Sequence, residues 1–438
     1  MRMNHRETTD SLGKVMVPAD VYYGPQTQRA IDNFPVSGLT LPDIFLQSVA
    51  MIKKHAAAVN QDLGLIPAET ASPIIQACEE IMAGQLNNNF PVDVFQTGSG
   101  TSTNMNLNEV IACRANERLS GKKSDKSPVH PNDHVNCCQS SNDVIPSAIH
   151  ISAARLIHNH LRPAVNALFQ ELENKAKAFK NIHKIGRTHL QDAVIMTLGQ
   201  EFSGYAHQIR LALDRLDSVR PRLCILALGG TAVGTGLNAH PDFAARVIAG
   251  ISEETGLPFA KSPNHFESQG ACDTAVEVSG VLKTIAVSLS KIANDIRWLA
   301  SGPRCGLGEI RLPERQPGSS IMPGKINPVI PESVIQVCAQ VMGNDATISI
   351  GGMGGYFELN TMLPLIAYNL IQSIELLAAA AEILAKKCVS GITADREKCR
   401  SNIERSLAIV TSLVPHIGYD RAAEIAKKAF EQGKPSKP

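Results

Sequence analysis

A mostly α protein with a central bundle of long helices is what this sequence predicts, and three observations carry the expectation. Between Val278 and Leu299 the apolar residues Val278, Leu282, Ile285, Leu289, Ile292, Ile296 and Leu299 recur in alternating steps of four and three. That is the seam spacing of helices packed side by side. The apolar–polar alternation that marks a half-buried strand is scarce along the 438 residues. Apolar residues make up 44% of the chain and aromatic residues only 4%, so the core is built from Ala, Leu, Ile and Val.

Along the chain, residues 1–140 form a first, mixed segment broken by Gly, Pro and Asn, with helices expected near Ile44–Leu63 and Ala71–Gln85. The stretch 121–136 is polar and carries two prolines, so it reads as loop. Residues 141–392 form the central bundle. Leu161, Val165, Leu168, Leu172, Ala176 and Phe179 make a second seam, and Ile209, Leu213 and Leu216 begin a third. Pro163 stands near the start of its helix, where the missing amide is tolerated. Met362–Ala385 is apolar on most sides and is expected to be buried all round. Residues 393–438 form a small third segment: a polar stretch, an amphipathic helix over Gly418–Phe430, and an unstructured tail from Gly433.

Composition excludes several classes. Lys plus Arg is 42 and Asp plus Glu is 41, a formal charge of +1, which offers nothing to nucleic acid or an anionic membrane surface. The stretch Leu376–Ala385 is too short and too charged, with Glu375, Glu382 and Lys386, to span a bilayer. Ten scattered cysteines with one adjacent pair, Cys137-Cys138, and no C-x-x-C fit a reduced compartment. No signal peptide precedes the polar start, so a cytoplasmic location is expected, with a mature mitochondrial-matrix form equally compatible. No Cys/His group has zinc spacing, and no metal or cofactor is expected. Gly229-Gly230, Gly234 and Gly236 look like a phosphate loop but open no βαβ unit. The charged fraction of 19% is thin for so large a surface and suggests area covered by partner subunits.

Four polar segments interrupt or end helical regions. Thr97-Gly-Ser-Gly-Thr-Ser-Thr-Asn-Met-Asn106 offers hydroxyl donors and close backbone approach to an anion, or is simply an N-cap loop. Gln139-Ser-Ser-Asn-Asp143 opens a helix, where free amides favour a carboxylate. Gly186-Arg-Thr-His-Leu-Gln-Asp192 places one histidine beside a threonine. Gly318-Ser-Ser-Ile-Met-Pro-Gly-Lys-Ile-Asn-Pro328 sets two serines, a lysine and an asparagine between glycines and prolines, the composition of a loop that opens and closes. Together they suit an anionic, dicarboxylate-like small molecule. With no nucleophile elbow, metal set or cofactor loop, the chemistry is proton abstraction beside a carboxylate, with elimination or addition.

These segments, in this order, resemble the fumarase/aspartase superfamily, and within it the class II fumarases. Val17-Pro-Ala-Asp20, Leu228-Gly-Gly-Thr-Ala-Val-Gly-Thr-Gly236, Asp295-Ile-Arg-Trp-Leu-Ala-Ser-Gly-Pro303 and His416-Ile-Gly-Tyr-Asp420 extend the resemblance along nearly the whole chain. It implies the three-domain fold of that family, with a central long-helix bundle, a homotetramer and active sites shared between subunits. It implies addition of water to fumarate. Ser319 would be the base that takes the C3 proton of malate, and Lys325 and Asn327 would hold a carboxylate and stabilise the aci-carboxylate intermediate, with Ser320 beside them. Ser99, Gly100, Thr101, Ser140, Ser141, Asn142 and Thr188 would hold substrate. His189 would handle the proton of water, oriented by Glu332. The family's second, non-catalytic anion site would fall at His130, Asn132 and Asp133, but Ser127 stands where an arginine is expected, so this site is expected to be weak or absent. The third segment also looks short beside the family pattern. Aspartate ammonia-lyase, which shares the fold and loop, and a non-catalytic structural relative are the rival readings.

Overall fold

The computed structural model describes residues 4–406, 410–411 and 413–431. The tail expected from Gly433 lies outside the described residues. Helices dominate, and the strands form five two-stranded sheets among the described residues. The longest sequence seam becomes the helix Asp273–Leu299, and all seven of its seam residues are buried. Burying a side chain of this size contributes about 1.5–3 kcal/mol, so truncating one of them, Leu289→Ala, is expected to cost about 2–5 kcal/mol. The second seam lies on Arg162–Ala178 and its flanks, where Leu161, Val165, Leu168, Leu172 and Phe179 are buried and Ala176 is half-buried. The third lies on Leu198–Leu223. The seams are thus covered within this chain. What stays exposed is another face: Val287 and Trp298, eleven residues apart and so on one side of the same helix, are each 53% exposed.

The chain divides into two compact units, each assembled from three separated stretches. The first holds residues 1–159, 216–281 and 343–375, and the second holds 160–215, 282–342 and 376–438. The helices Leu198–Leu223, Asp273–Leu299, Val329–Gly352 and Leu363–Ile383 each start in one unit and end in the other. The units follow compactness, whereas the three sequence segments follow chain order.

In the first unit the helix Asp43–Asp62 packs on Ala68–Met82, on Ser141–Leu156 and on Phe243–Thr255, and Thr101–Ser120 packs on Ala68–Met82. Thr101–Ser120 stops at Gly121, whose φ of 71° lets its amide turn back to the Glu117 carbonyl. The loop expected over 121–136 contains one helical turn, Pro131–Val135. In the second unit a hairpin pairs His183–Thr188 with Gln191–Thr197 and packs against the helix Arg396–Arg405. The polar stretch after residue 392 is therefore folded, with Cys399 fully buried.

The apolar run around residue 376 is longer than the sequence stretch considered above. Leu363–Gly391, in which an 18-residue window has a mean hydropathy of 1.4, is long and apolar enough to cross a membrane by length and composition, so length and charge do not exclude it. Two-thirds of that window, 67%, is buried inside the protein, so within this chain the helix is not covered all round: Glu375 and Ala379 are exposed.

Candidate active site

In the first unit two helix starts meet. Gly100 is the N-cap of Thr101–Ser120 with φ of 74°, which favours glycine, and a Cβ there would press on the Ile145 side chain at 3.0 Å. The Thr101 hydroxyl donates to Ser141 Oγ at 3.0 Å and shares a 2.8 Å hydrogen bond with Ser99. Ser99, Thr101 and Ser141 are thus one hydroxyl cluster. Ser140 caps Ser141–Leu156 through a capping box: its Oγ accepts from the Asn142 amide at 3.2 Å, and its own amide donates to Asp143 Oδ1 at 2.9 Å. Asn142 donates to the Ala232 carbonyl at 2.8 Å.

Asp143 carries this arrangement and is missing from the sequence-derived set. It is fully buried, and its Oδ2 accepts from the amides of Gly229 and Thr231, both at 3.0 Å. Burial pushes its carboxyl up to about 6, against those amides pulling it down. The glycine segment that resembled a phosphate loop supplies the amides that fix this helix start. The S-x-x-D spacing from Ser140 to Asp143 was the available signal. Behind it lies Lys53, fully buried, with Nζ 3.4 Å from Asn136 Oδ1 and from Gln139 Oε1. Burial brings its ammonium down to about 7, against the smaller opposing pull of Cys78 and Asp143.

The other predicted residues belong to the second unit. Thr188 ends the first strand of the hairpin, and His189 and Leu190 are its exposed two-residue turn, with φ of 57° and 60°. Such a turn favours Asn and Gly, so His and Leu here hold a backbone that side chains disfavour. A buried ionic cluster anchors the hairpin. Glu309, 0% exposed, takes a fork of hydrogen bonds from Arg187 at 2.7 and 3.0 Å and sits 3.3 Å from Lys184 Nζ. Lys184, 1% exposed, also reaches Glu201 at 2.9 Å, and Asn402 donates to Glu309 at 3.1 Å. Burial raises the Glu309 carboxyl, but Arg187 and Lys184 together hold it below its ordinary value.

The loop 318–327 closes at its neck. The Gly318 amide donates to the Lys325 carbonyl at 2.7 Å, and Asn327 Nδ2 donates to the Gly318 carbonyl at 2.7 Å. A Cβ on Gly318 would stand 2.5 Å from the Lys325 carbonyl oxygen. One of the two Asn327 amide hydrogens is therefore used to tie the loop. Within the loop, Ser319 Oγ accepts from the amides of Ile321 at 3.2 Å and Met322 at 3.0 Å. Two N–H groups aimed at one hydroxyl oxygen favour its charged form. Ser320 and Lys325 are exposed. Glu332 is half-buried in the first turn of Val329–Gly352. Among the described residues no hydrogen bond joins His189 to Glu332.

His130, Asn132 and Asp133 stand at the turn Pro131–Val135, in the first unit. His130 Nδ1 accepts from the amides of Asn132 and Asp133, both at 3.2 Å. A cavity of about 360 Å³ beside them is lined by Asp10, Glu109, Asp125, Lys126, His130 and Asn132 among others. Three carboxylates face one lysine, and those of Asp10 and Asp125 are paired with Arg29 and Arg6. Among the described residues no group of three or more His, Cys, Asp or Glu is placed to hold a metal ion.

A Lyase family model matches residues 13–343, and a Fumarase C C-terminus model matches residues 409–437. The class II fumarate hydratase of Nitrosomonas europaea is 55% identical, over 98% of this chain and 93% of its own length. The chain belongs to the class II fumarate hydratase family of lyases. The class II fumarate hydratase of Neisseria meningitidis is 54% identical, over 99% of this chain and 94% of its own. Among solved structures, a recombinant class II fumarase from Schistosoma mansoni superposes with a TM-score of 0.96 at 43% identity, covering 99% of this chain and 94% of that one. A fumarate lyase:delta crystallin from Brucella melitensis superposes with a TM-score of 0.92 at 45% identity, covering 99% of both chains. This family shares the mostly α, long-helix fold found here.

Proposed function

We propose that this lyase hydrates fumarate reversibly, adding water anti to give (S)-malate. The observation that carries the reading is Ser319, whose Oγ accepts two backbone amides inside a loop tied at its neck. A serine base needs its alkoxide stabilised, and amides already aimed at the oxygen do this without reorganising. In this reading Ser319 takes the C3 proton of malate. Lys325 and the remaining Asn327 amide hydrogen stabilise the aci-carboxylate dianion, with Ser320 as a further donor. Ser99, Gly100, Thr101, Ser140, Ser141, Asn142 and Thr188 hold the substrate carboxylates. His189 protonates the departing hydroxyl and Glu332 orients it.

The working species in this reading is a tetramer with sites assembled from several chains. Support comes from exposed Val287 and Trp298 on a long helix and exposed Phe357 at 94%. In this reading a neighbouring subunit brings Glu332 to His189. The test is absorbance at the fumarate band with purified protein given malate, then aspartate. Fumarate from malate alone is expected. Fumarate from aspartate alone would make the chain an ammonia-lyase, and none from either would make it a structural relative.

A further inference from the structure

Cys137 and Cys138 adjoin the start of the helix Ser141–Leu156, and neither the family reading nor the proposed mechanism uses them. Their sulfurs are 4.0 Å apart, and all ten cysteines of the chain are free. Cys138 has φ of 62°, a conformation that a side chain rarely adopts. Cys137 is half-buried and Cys138 buried. We propose that this pair is a modification site: a dithiol that a hydroperoxide closes into a disulfide between adjacent residues, at the head of the substrate-clamp helix.

The surroundings favour that reaction. The Cys137 thiol and the His240 backbone amide stabilise sulfur anion at Cys138 and bring it to about 6 against the burial that opposes it, while the same contact raises Cys137. Cys138 is therefore the nucleophile and Cys137 the resolving thiol. The Cys138 thiolate attacks the peroxide oxygen, the O–O bond breaks, and the leaving oxygen takes a proton to give an alcohol, or water from hydrogen peroxide. Cys138 is then a sulfenic acid. The Cys137 sulfur attacks it, the S–O bond breaks, and water leaves with the Cys137 proton. Two thiols are oxidised and one peroxide is reduced.

Closure must bring the sulfurs from 4.0 Å to about 2.05 Å, which the backbone has to follow. The Cys137 carbonyl accepts from Asn60 and from Gln139, both at 3.1 Å, and Gln139 leads directly into Ser140 and Ser141. A shift at the pair is thereby passed to the hydroxyl cluster, so oxidation is expected to weaken turnover reversibly.

The tryptic peptide of residues 127–155 contains both cysteines and no other. The full chain carrying Cys305→Ser, which removes the exposed thiol, is treated with hydrogen peroxide and digested without reductant. The expected peptide is two hydrogen masses lighter, and dithiothreitol restores it. Adding Cys137→Ser should stop the reaction at a Cys138 sulfenic acid that dimedone traps. A peptide that is unchanged, carries only added oxygens, or is linked to another peptide overturns the proposal. This readout does not depend on which substrate the enzyme uses. Activity should fall as the disulfide forms and return on reduction, with the Cys137→Ser/Cys138→Ser variant spared. Equal loss in both proteins would overturn the coupling to the clamp.

Discussion

Replacing Glu309 with Gln tests the anchor of the histidine hairpin. The side chain is wholly buried, and its charge faces Lys184 and the Arg187 fork. Glutamine keeps the shape but presents an amide donor to a guanidinium that also donates, so one arm of the fork is lost. Lys184 keeps only Glu201 as a charged partner. Breaking one side of a buried pair leaves a charge uncompensated and costs about 3–5 kcal/mol. Since one hydrogen bond from Arg187 and that from Asn402 survive, the lower end, about 3 kcal/mol, is expected. The same change loosens the turn that holds His189 at positive φ, so kcat should fall by more than KM rises. Because the folded carboxyl titrates below its ordinary 4.5, its stabilisation is present above that pH and is lost as pH falls. The stability gap between wild type and Glu309→Gln should therefore shrink in acid. The assay is urea unfolding at neutral and acid pH, paired with steady-state hydration kinetics. A variant within about 0.5 kcal/mol of wild type, with unchanged kcat, would refute the anchoring argument.

Three further outcomes follow from the geometry. Ser319→Ala and His189→Asn should each abolish turnover, yet tetramers reassembled from a mixture of the two should recover activity if sites draw on several chains; inactive hybrids would place each site in one chain. His130→Asn should leave activity nearly unchanged, because Ser127 stands where a forked donor is expected and Lys126 beside it is only a point charge; a crystal soaked with dicarboxylate that shows tight binding there would reverse this. Lys53→Met should flatten the pH dependence of stability. Its folded value near 7 lies below the ordinary 10.5, so the native state holds fewer protons between the two. Wild-type stability then gains up to about 1.4 kcal/mol per pH unit across that window and loses it as pH falls toward 7. Parallel wild-type and variant curves would remove Lys53 as the cause.

The long helices were legible because periodicity is local: the seam from Val278 to Leu299 is visible in one stretch, and every member of it is buried. The serine loop and both clamp segments were legible as composition, since Gly, Ser, Thr and Asn cluster where helices begin. The hairpin was not. Its first strand buries a lysine, Lys184, where the alternation rule looks for an apolar residue, and the compensating Glu309 comes from a distant part of the chain. Asp143 and Lys53 were hidden for a similar reason, since a charged residue reads as surface until its partners are known. The seams are buried within the chain, and on the helix Asp273–Leu299 the exposed large apolar residues are Val287 and Trp298, on another side.

The interleaving of the two units has a consequence for how the protein is made. The first unit needs residues up to 375, although it begins at the N-terminus, and the second needs residues from 160 onward. At about 5–20 residues per second, roughly 20–75 s pass before residue 375 is synthesised. Through that interval the emerging chain holds a first unit that still lacks its last stretch, 343–375. Neither unit can fold behind the ribosome as a closed domain. A stop codon anywhere before residue 375 leaves no complete unit behind.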